Sequence, residues 1–215
     1  MPLVKICGIQ TLDAAMSAQN HGADLIGFVF AKSRRKITVT AAAEIAGSIS
    51  RIGKVGVFLN QPLTEILEIA ERCRLDLIQL HGDESPEYCR QLNRPVIKAF
   101  RLDKNFSPAA FHSYDVPWIL LDSFVPGQAG GTGVTFDWEA GRKKLGRPKQ
   151  KVFVAGGLTA ENVAEAIRLI QPDGVDVSGG VEIEGSKDLG EIGRFIAAAR
   201  SAVHSDSTIR RDFPC

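Results

Sequence analysis

Little in these 215 residues invites a specialised class of protein, and the absences narrow the field first. Four cysteines, Cys7, Cys73, Cys89 and Cys215, show neither CxxC nor close metal-ligand spacing, so a disulfide scaffold or a zinc module has nothing to build on. Free thiols in a reducing cytoplasm are the expectation. Lys plus Arg number 26 against 25 Asp plus Glu, a formal charge of +1. No global field is there to hold DNA, RNA or an anionic membrane, so no nucleic-acid or membrane partner is expected and any anion needs a local site. No apolar run approaches the ~20 residues of a membrane helix, and the start, Met1 to Gly8, lacks the apolar segment of a signal peptide. The histidines (His21, His81, His112, His204) are scattered, which predicts no multi-histidine metal centre.

What is present is an alternation, repeated eight times, of short β-rich apolar runs with longer segments of helical periodicity. The candidate strands are Leu3 to Cys7, Asp24 to Phe30, Lys54 to Leu59, Leu75 to His81, Val96 to Phe100, Trp118 to Asp122, Lys151 to Ala155 and Gly174 to Val177. Several are unbroken Val/Ile/Leu runs, as in parallel strands buried on both faces. Between them Leu63, Ile66, Leu67 and Ala70 follow i, i+3, i+4, i+7, with Pro62 at the first helical position. Ala42, Ile45, Ala46 and Ile49 repeat the spacing, as do Val163, Ala166, Ile167 and Ile170, for which Thr159 is the expected N-cap. Ser85-Pro86 opens a short fourth helix, Leu189, Ile192, Ile196 and Ala199 mark the last, and weakly patterned helices fall near 107–113 and 135–145. Eight strand-helix units of about 27 residues exhaust the chain and leave no room for a second domain. Alternation alone also permits an open doubly wound sheet. Eight regular units without a large insertion favour closure, so the predicted fold is α/β, a single-domain (β/α)8 TIM barrel over residues 1–203. Residues 204–215 are expected to form a mobile tail.

Side chains alternate inward and outward along a barrel strand, and active sites lie at the C-terminal strand ends, so parity becomes a site prediction. Lys5 and Cys7 point inward on the first strand, Gln79 and His81 on the fourth, Asp176 and Ser178 on the eighth, and the sixth ends on Asp122. By position, Lys5 and Asp176 read as a structural ion pair, because a buried charge is costly without a partner. Asp122 reads equally as a catalytic carboxyl or a loop cap, Cys7 as a small buried residue or a reactive thiol, and His81 as a hydrogen-bonding strand end. Glycines cluster after three consecutive strands: Gly130, Gly131 and Gly133 after the sixth, Gly156 and Gly157 after the seventh, Gly179 and Gly180 after Ser178. Such loops bring backbone N–H groups close to an anion and favour one phosphate over tight turns alone. The first strand is followed by no GxGxxG, against a dinucleotide, and no GxSxG elbow occurs.

In register along the chain stand Lys5-Ile6-Cys7-Gly8-Ile9, Gly22 to Phe30, Val55-Gly56-Val57-Phe58, Gln79-Leu80-His81-Gly82, Leu120-Leu121-Asp122-Ser123, Gly130-Gly131-Thr132-Gly133 with Phe136-Asp137-Trp138, Ala155-Gly156-Gly157-Leu158 and Val175-Asp176-Val177-Ser178. In that order they resemble the phosphoribosylanthranilate isomerase family, and the likeness runs to about Arg200. The resemblance implies a cofactor-free and metal-free Amadori rearrangement in tryptophan biosynthesis, on a small phosphosugar substrate, by a monomer or homodimer. It implies Asp122 as general acid on the ribose ring oxygen and Cys7 as general base on the C2 proton. Acid–base catalysis then calls for a Cys7 thiolate accessible near neutral pH and an Asp122 that can be protonated, either of them dependent on bound substrate. It also implies substrate contacts from Arg35, His81, Asp176, Ser178 and the loop residues Gly131, Gly133, Gly156, Gly157 and Gly179.

Two places depart from the family pattern. The loop after the second strand reads Ser33-Arg34-Arg35-Lys36, where a form such as SPRY or SKRY is usual, so Arg34 competes with Arg35 for the anthranilate carboxylate. Gly179 stands where a second serine is usual, which a backbone-held phosphate tolerates. Related barrels compete less well. A resemblance to indole-3-glycerol-phosphate synthase would require a lysine acid and an N-terminal extension, and one to ribulose-phosphate 3-epimerase a His/Asp metal cluster. A noncatalytic phosphate-binding barrel would have no use for both Cys7 and Asp122.

Overall fold

The computed structural model describes residues 1–102, 107, 109–122 and 148–202. Its strands are β1 (Leu3–Cys7), β2 (Leu25–Val29), β3 (Gly53–Phe58), β4 (Leu77–Leu80), β5 (Val96–Arg101), β6 (Trp118–Asp122), β7 (Lys151–Ala155) and β8 (Gly174–Val177). They pair in chain order, each parallel to the next, and β8 returns to β1 to close the barrel. Closure therefore prevails over the open doubly wound sheet. The described helices are α1 (Leu12–Asn20), α2 (Val39–Ser48), α3 (Leu63–Arg72), α4 (Pro86–Arg90), α5 (Ala109–His112), α6 (Val163–Ile170) and α7 (Leu189–Ser201). The helix expected near 135–145 and the tail 204–215 lie outside the described residues.

Local chemistry explains most of these boundaries. Thr11, Thr38 and Ser85 each accept a backbone N–H three residues on, at the N-termini of α1, α2 and α4, a cap whose loss costs ~1 kcal/mol. Pro62 sits one residue before α3 rather than inside it. Thr159 does not cap α6. It opens a turn in which its own N–H donates to Asn162 Oδ1 and its carbonyl accepts from Val163, so the helix begins four residues later. β4 is shorter than its apolar run because Asp76 turns the chain beneath it: its N–H donates to the Lys54 carbonyl while its carboxylate accepts the Lys54 N–H. Asp24 serves Val4, and Asp173 serves Val152, in the same way. The N-terminal face of the barrel is thus pinned at three strand pairs by carboxylates that satisfy backbone donors.

Parity sorts the residues into layers. Val4, Ile6, Ile26, Phe28, Ile78, Leu80, Ile119, Leu121, Val154 and Val175 face the helices in one continuous core, to which α6 adds Val163, Ala166, Ile167 and Ile170. Each large apolar side chain so buried contributes roughly 1.5–3 kcal/mol. Leu25, Val55, Ile97, Ala99, Leu120 and Phe153 fill the barrel interior. Above them Cys7, Val29 and Val57 form a smaller cluster at the C-terminal end. The lower interior is therefore plugged, and the inward polar side chains of the described strands lie above it, at the mouth.

Candidate active site

Polar side chains enter this mouth where the parity argument puts them. Lys5, fully buried, donates from Nζ to Asp176 Oδ1 at 2.9 Å across the β1–β8 pairing. Cys7 lies one inward position higher on β1 and is also buried. Gly27 on β2 makes room for both: a Cβ there would stand 2.9 Å from Cys7 Sγ and 3.1 Å from Lys5 Nζ. The side-chain-free position on β2 is what lets the thiol and the ammonium share one compartment.

His81 bridges β4 to β6. Its Nδ1 stands 3.3 Å from Gln79 Nε2 and its Nε2 3.3 Å from Asp122 Oδ2. These contacts fit an imidazole that accepts at Nδ1 and donates from Nε2 toward the carboxylate. Asp122 and His81 in turn lie within electrostatic reach of Asp176. A single arc of ionisable groups runs around the mouth, from Cys7 and Lys5 through Asp176 to Asp122 and His81.

Burial is the largest influence on the inward groups. It pushes the Cys7 thiol above its ordinary value, with Lys5 and, more weakly, Lys187 pulling the other way. Without substrate, desolvation outweighs the nearby cations, so a thiolate near neutral pH depends on the charge that bound substrate brings. Burial opposes the Lys5 charge as well, but attraction to Asp176 and Cys7 prevails and keeps the ammonium protonated. For Asp176 burial, reinforced by Asp122, lifts the carboxyl above its usual range despite the opposing pull of Lys5.

The loops after β2 and β8 meet over the end of β1. Arg35 packs across Gly8, where a Cβ would come within 2.7 Å of its Cδ, and its Nη2 passes within 3.2 Å of the space a Gly179 Cβ would fill. Arg35 is largely covered, whereas Arg34 is 63% exposed. Both guanidinium groups bind Glu182, Arg35 through Nε at 2.6 Å and Nη2 at 2.9 Å, Arg34 through Nη2 at 2.7 Å. Glu182 belongs to a small hairpin, β9 (Glu182–Ile183) with β10 (Ser186–Lys187), that follows a 3-10 turn at Gly179–Val181. Lys187 donates to Glu182 Oε1 and to the carbonyl and hydroxyl of Ser178, whose Oγ donates to the Cys7 carbonyl at 3.0 Å. Sequence reasoning passed over Glu182 and Lys187. The positive φ of Glu184 and Gly185 marks the tight turn, and the Gly185-Ser186 pair is the available clue that two charged residues face each other across it.

The phosphate loops are partly in view. Gly156 and Gly157 after β7 take positive φ, 93° and 63°, a backbone that side chains rarely adopt. Gly180 presses on the Leu158 carbonyl so closely that any Cβ would collide with it. The loops after β7 and β8 are therefore in contact, through Gly180 against Leu158 and Thr159. Gly131 and Gly133 lie outside the described residues. Among the described residues no three His, Cys, Asp or Glu side chains gather as a metal centre, and no helix is long and apolar enough to cross a membrane.

Comparison with known proteins bears on this arrangement. The profile of a family described as N-(5'phosphoribosyl)anthranilate (PRA) isomerase matches residues 4–198. An N-(5'-phosphoribosyl)anthranilate isomerase of Moorella thermoacetica is 48% identical over 206 residues, covering 94% of this chain and 91% of its own. The crystal structure of phosphoribosyl anthranilate isomerase from Thermotoga maritima superposes with a TM-score of 0.83 at 38% identity, covering 94% of this chain and all of that one. A crystal structure of phosphoribosyl anthranilate isomerase in complex with reduced 1-(o-carboxyphenylamino)-1-deoxyribulose 5-phosphate aligns with a TM-score of 0.79 at 36% identity, over 94% and 100% of the two chains.

Proposed function

The chain belongs to the N-(5'-phosphoribosyl)anthranilate isomerase family, and on that premise we propose how its mouth divides the work of the reaction. The reaction is the Amadori rearrangement of N-(5-phospho-β-D-ribosyl)anthranilate to 1-(o-carboxyphenylamino)-1-deoxyribulose 5-phosphate, a step of tryptophan biosynthesis. Asp122 is the general acid: it gives a proton to the ribose ring oxygen as the C1–O bond breaks and the anthranilate nitrogen lone pair forms an iminium ion. Cys7 is the general base: its thiolate takes the C2 proton, and the C–H electrons become the C1–C2 double bond while the iminium electrons return to nitrogen. The enolamine then loses its hydroxyl proton and gains one at C1, giving the ketose. The observation that carries this reading is the convergence of Cys7 and Asp122, on β1 and β6, upon one mouth above a plugged interior.

The cationic iminium acidifies C2–H and adds positive charge beside Cys7, which offsets the desolvation that holds the thiol protonated. Lys5, paired with Asp176, supplies a permanent charge next to the thiolate. His81 orients Asp122. Arg35, covered and lying between Gly8 and Gly179, is better placed than exposed Arg34 to receive the anthranilate carboxylate. Gly156, Gly157, Ser178 and Gly179 line the phosphate side of the mouth, and Gly131 and Gly133, outside the described residues, are assigned to the same contact. Every group named comes from one chain, so the chemistry is compatible with a monomer or a homodimer. We take residues 1–203 as the catalytic unit with 204–215 outside it, in a cytoplasm whose reducing poise suits the unpaired Cys7, Cys73 and Cys89.

The test is turnover of N-(5-phosphoribosyl)anthranilate generated in situ, followed by the fluorescence of the anthranilate group, with the product identified by mass. Asp122→Asn and Cys7→Ser should each lower kcat by ~10²–10⁴-fold, the usual worth of a general acid or base, with KM little changed. Undiminished turnover in either variant removes that residue from its role.

A further inference from the structure

The mouth holds a carboxylate that the reaction does not use and that is too well connected to be a surface ornament. Glu182 has a side chain only 4% exposed, yet three cations converge on it: Arg34, Arg35 and Lys187. Its two oxygens grip Arg35 side-on, taking Nε and one Nη2 hydrogen. A guanidinium has five N–H donors in a rigid plane, so this grip leaves the Nη1 pair and the second Nη2 hydrogen, at the adjacent end of the fork, for another acceptor. The grip also fixes the plane itself. Without it the long Arg35 side chain would lose its one anchoring carboxylate and regain rotamer freedom, an entropy that substrate would have to remove on binding.

We infer that Glu182 is a positioning residue of the isomerase, holding the Arg35 fork edge-on so that its remaining N–H groups meet the substrate's aromatic carboxylate. The inference rests on the reading of Arg35 as the carboxylate contact. Lys187 completes the device. All three of its donors are used, on Glu182 and on both oxygens of Ser178, so the hairpin β9–β10 is tied to the end of β8, and through the Ser178 hydroxyl to the end of β1. The loop after β2 and the strand that carries Cys7 are thereby held in one frame by a single carboxylate. Arg34 binds the same oxygen from the solvent side and contributes less, because an exposed pair is screened by water.

The test separates positioning from general support. Binding of two ligands is measured: reduced 1-(o-carboxyphenylamino)-1-deoxyribulose 5-phosphate, and its anilino counterpart lacking the carboxylate. Glu182→Gln should weaken the carboxylated ligand at least ten-fold and the anilino ligand less than three-fold, and in turnover it should raise KM more than it lowers kcat. Arg35→Met should show the same discrimination, and the double variant Glu182→Gln/Arg35→Met should be no worse than Arg35→Met alone. If Glu182→Gln compromises folding, Glu182→Asp, which keeps the charge and withdraws it by one methylene, should produce the same selective loss in a protein of near-parental Tm. Discrimination by Arg35→Met without discrimination by the Glu182 variants overturns the inference alone. Equal losses for both ligands in Arg35→Met overturn the carboxylate role of Arg35, and the inference falls with it.

Discussion

Two lysines are buried beside carboxylates in this barrel, and they are different objects. Lys98, on β5, faces the helices, since its neighbours Ile97 and Ala99 face the interior. Its ammonium donates to the carbonyls of Gly82 at 2.6 Å, Ala99 at 3.3 Å and Leu80 at 3.4 Å, and to Glu84 Oε2 at 3.1 Å. Glu84 in turn accepts the N–H groups of Asn60 and Gly82. The other neighbours of Lys98 are the rings of Phe100 and Tyr114, 5.5 and 6.0 Å from the ammonium, so Glu84 is its one ionised partner among the described residues. Lys5, on β1, faces inward, and its neighbours are Asp176 and Cys7, with Asp122 and His81 beyond. The lesson is that burial and pairing do not distinguish a structural charge from a functional one. The identity of the surrounding groups does: Lys98 sits among carbonyls, rings and a carboxylate occupied with backbone N–H groups, whereas Lys5 sits beside the thiol and carboxyls of the mouth.

Breaking the two pairs should sharpen this contrast. Removing one partner of a buried pair strands the other and typically costs ~3–5 kcal/mol, so Lys98→Met and Lys5→Met should both lower the denaturant midpoint strongly. Only Lys5→Met should also lower the kcat of the protein that remains folded, by at least ten-fold, because Cys7 loses its nearest cation. A Lys98→Met protein with the larger turnover defect would reverse the assignment of the two pairs.

A smaller effect is expected in the pH dependence of the thiol. Burial raises the Cys7 pKa, so its alkylation rate should climb with pH to a midpoint above the ordinary thiol value, and Lys187→Met should move that midpoint higher still, since a cation stabilises the thiolate. A midpoint below the ordinary value would show that the cations, not desolvation, dominate the mouth.

The smallest effect concerns Glu182. Burial opposes its charge, but hydrogen bonds and attraction from Arg35 and Lys187 outweigh that cost and hold it at about 2, against an ordinary 4.5. A depressed folded pKa contributes stability that is fully present above about 4.5 and lost as pH falls toward 2. The stability gap between the parent protein and Glu182→Gln, measured by urea unfolding, should therefore be constant above about pH 5 and shrink below it. A gap unchanged down to pH 2 would mean that the carboxylate contributes no charge to the cluster.

Much of the arc was legible in advance because it depends on parity. Lys5, Cys7, Gln79, His81, Asp122 and Asp176 sit at strand positions whose apolar neighbours, such as Val4 and Ile6, already claim the helix side. The helices with clean periodicity, α3 and α6, were readable for the same reason, although the start of α6 was misplaced because Asn162 and Thr159 share a turn that spacing does not reveal. Glu182, Lys187, Glu84 and Lys98 were not legible in their roles. Glu182 meets Arg35 across 147 residues of chain, and nothing local in Arg34-Arg35-Lys36 says which arginine turns inward.

Local patterning suffices for the eight alternating units, the inward sense of the polar strand positions and the clustering of glycines at one end, because each follows from a period of two or 3.6 residues or from the backbone freedom of glycine. Folding in three dimensions was needed to bring Glu182 onto Arg35, His81 onto Asp122 and the Tyr114 hydroxyl onto the Glu84 carbonyl. Those outcomes depend on contacts between residues far apart in the chain, and a contact of that kind leaves no periodic trace in either segment that makes it.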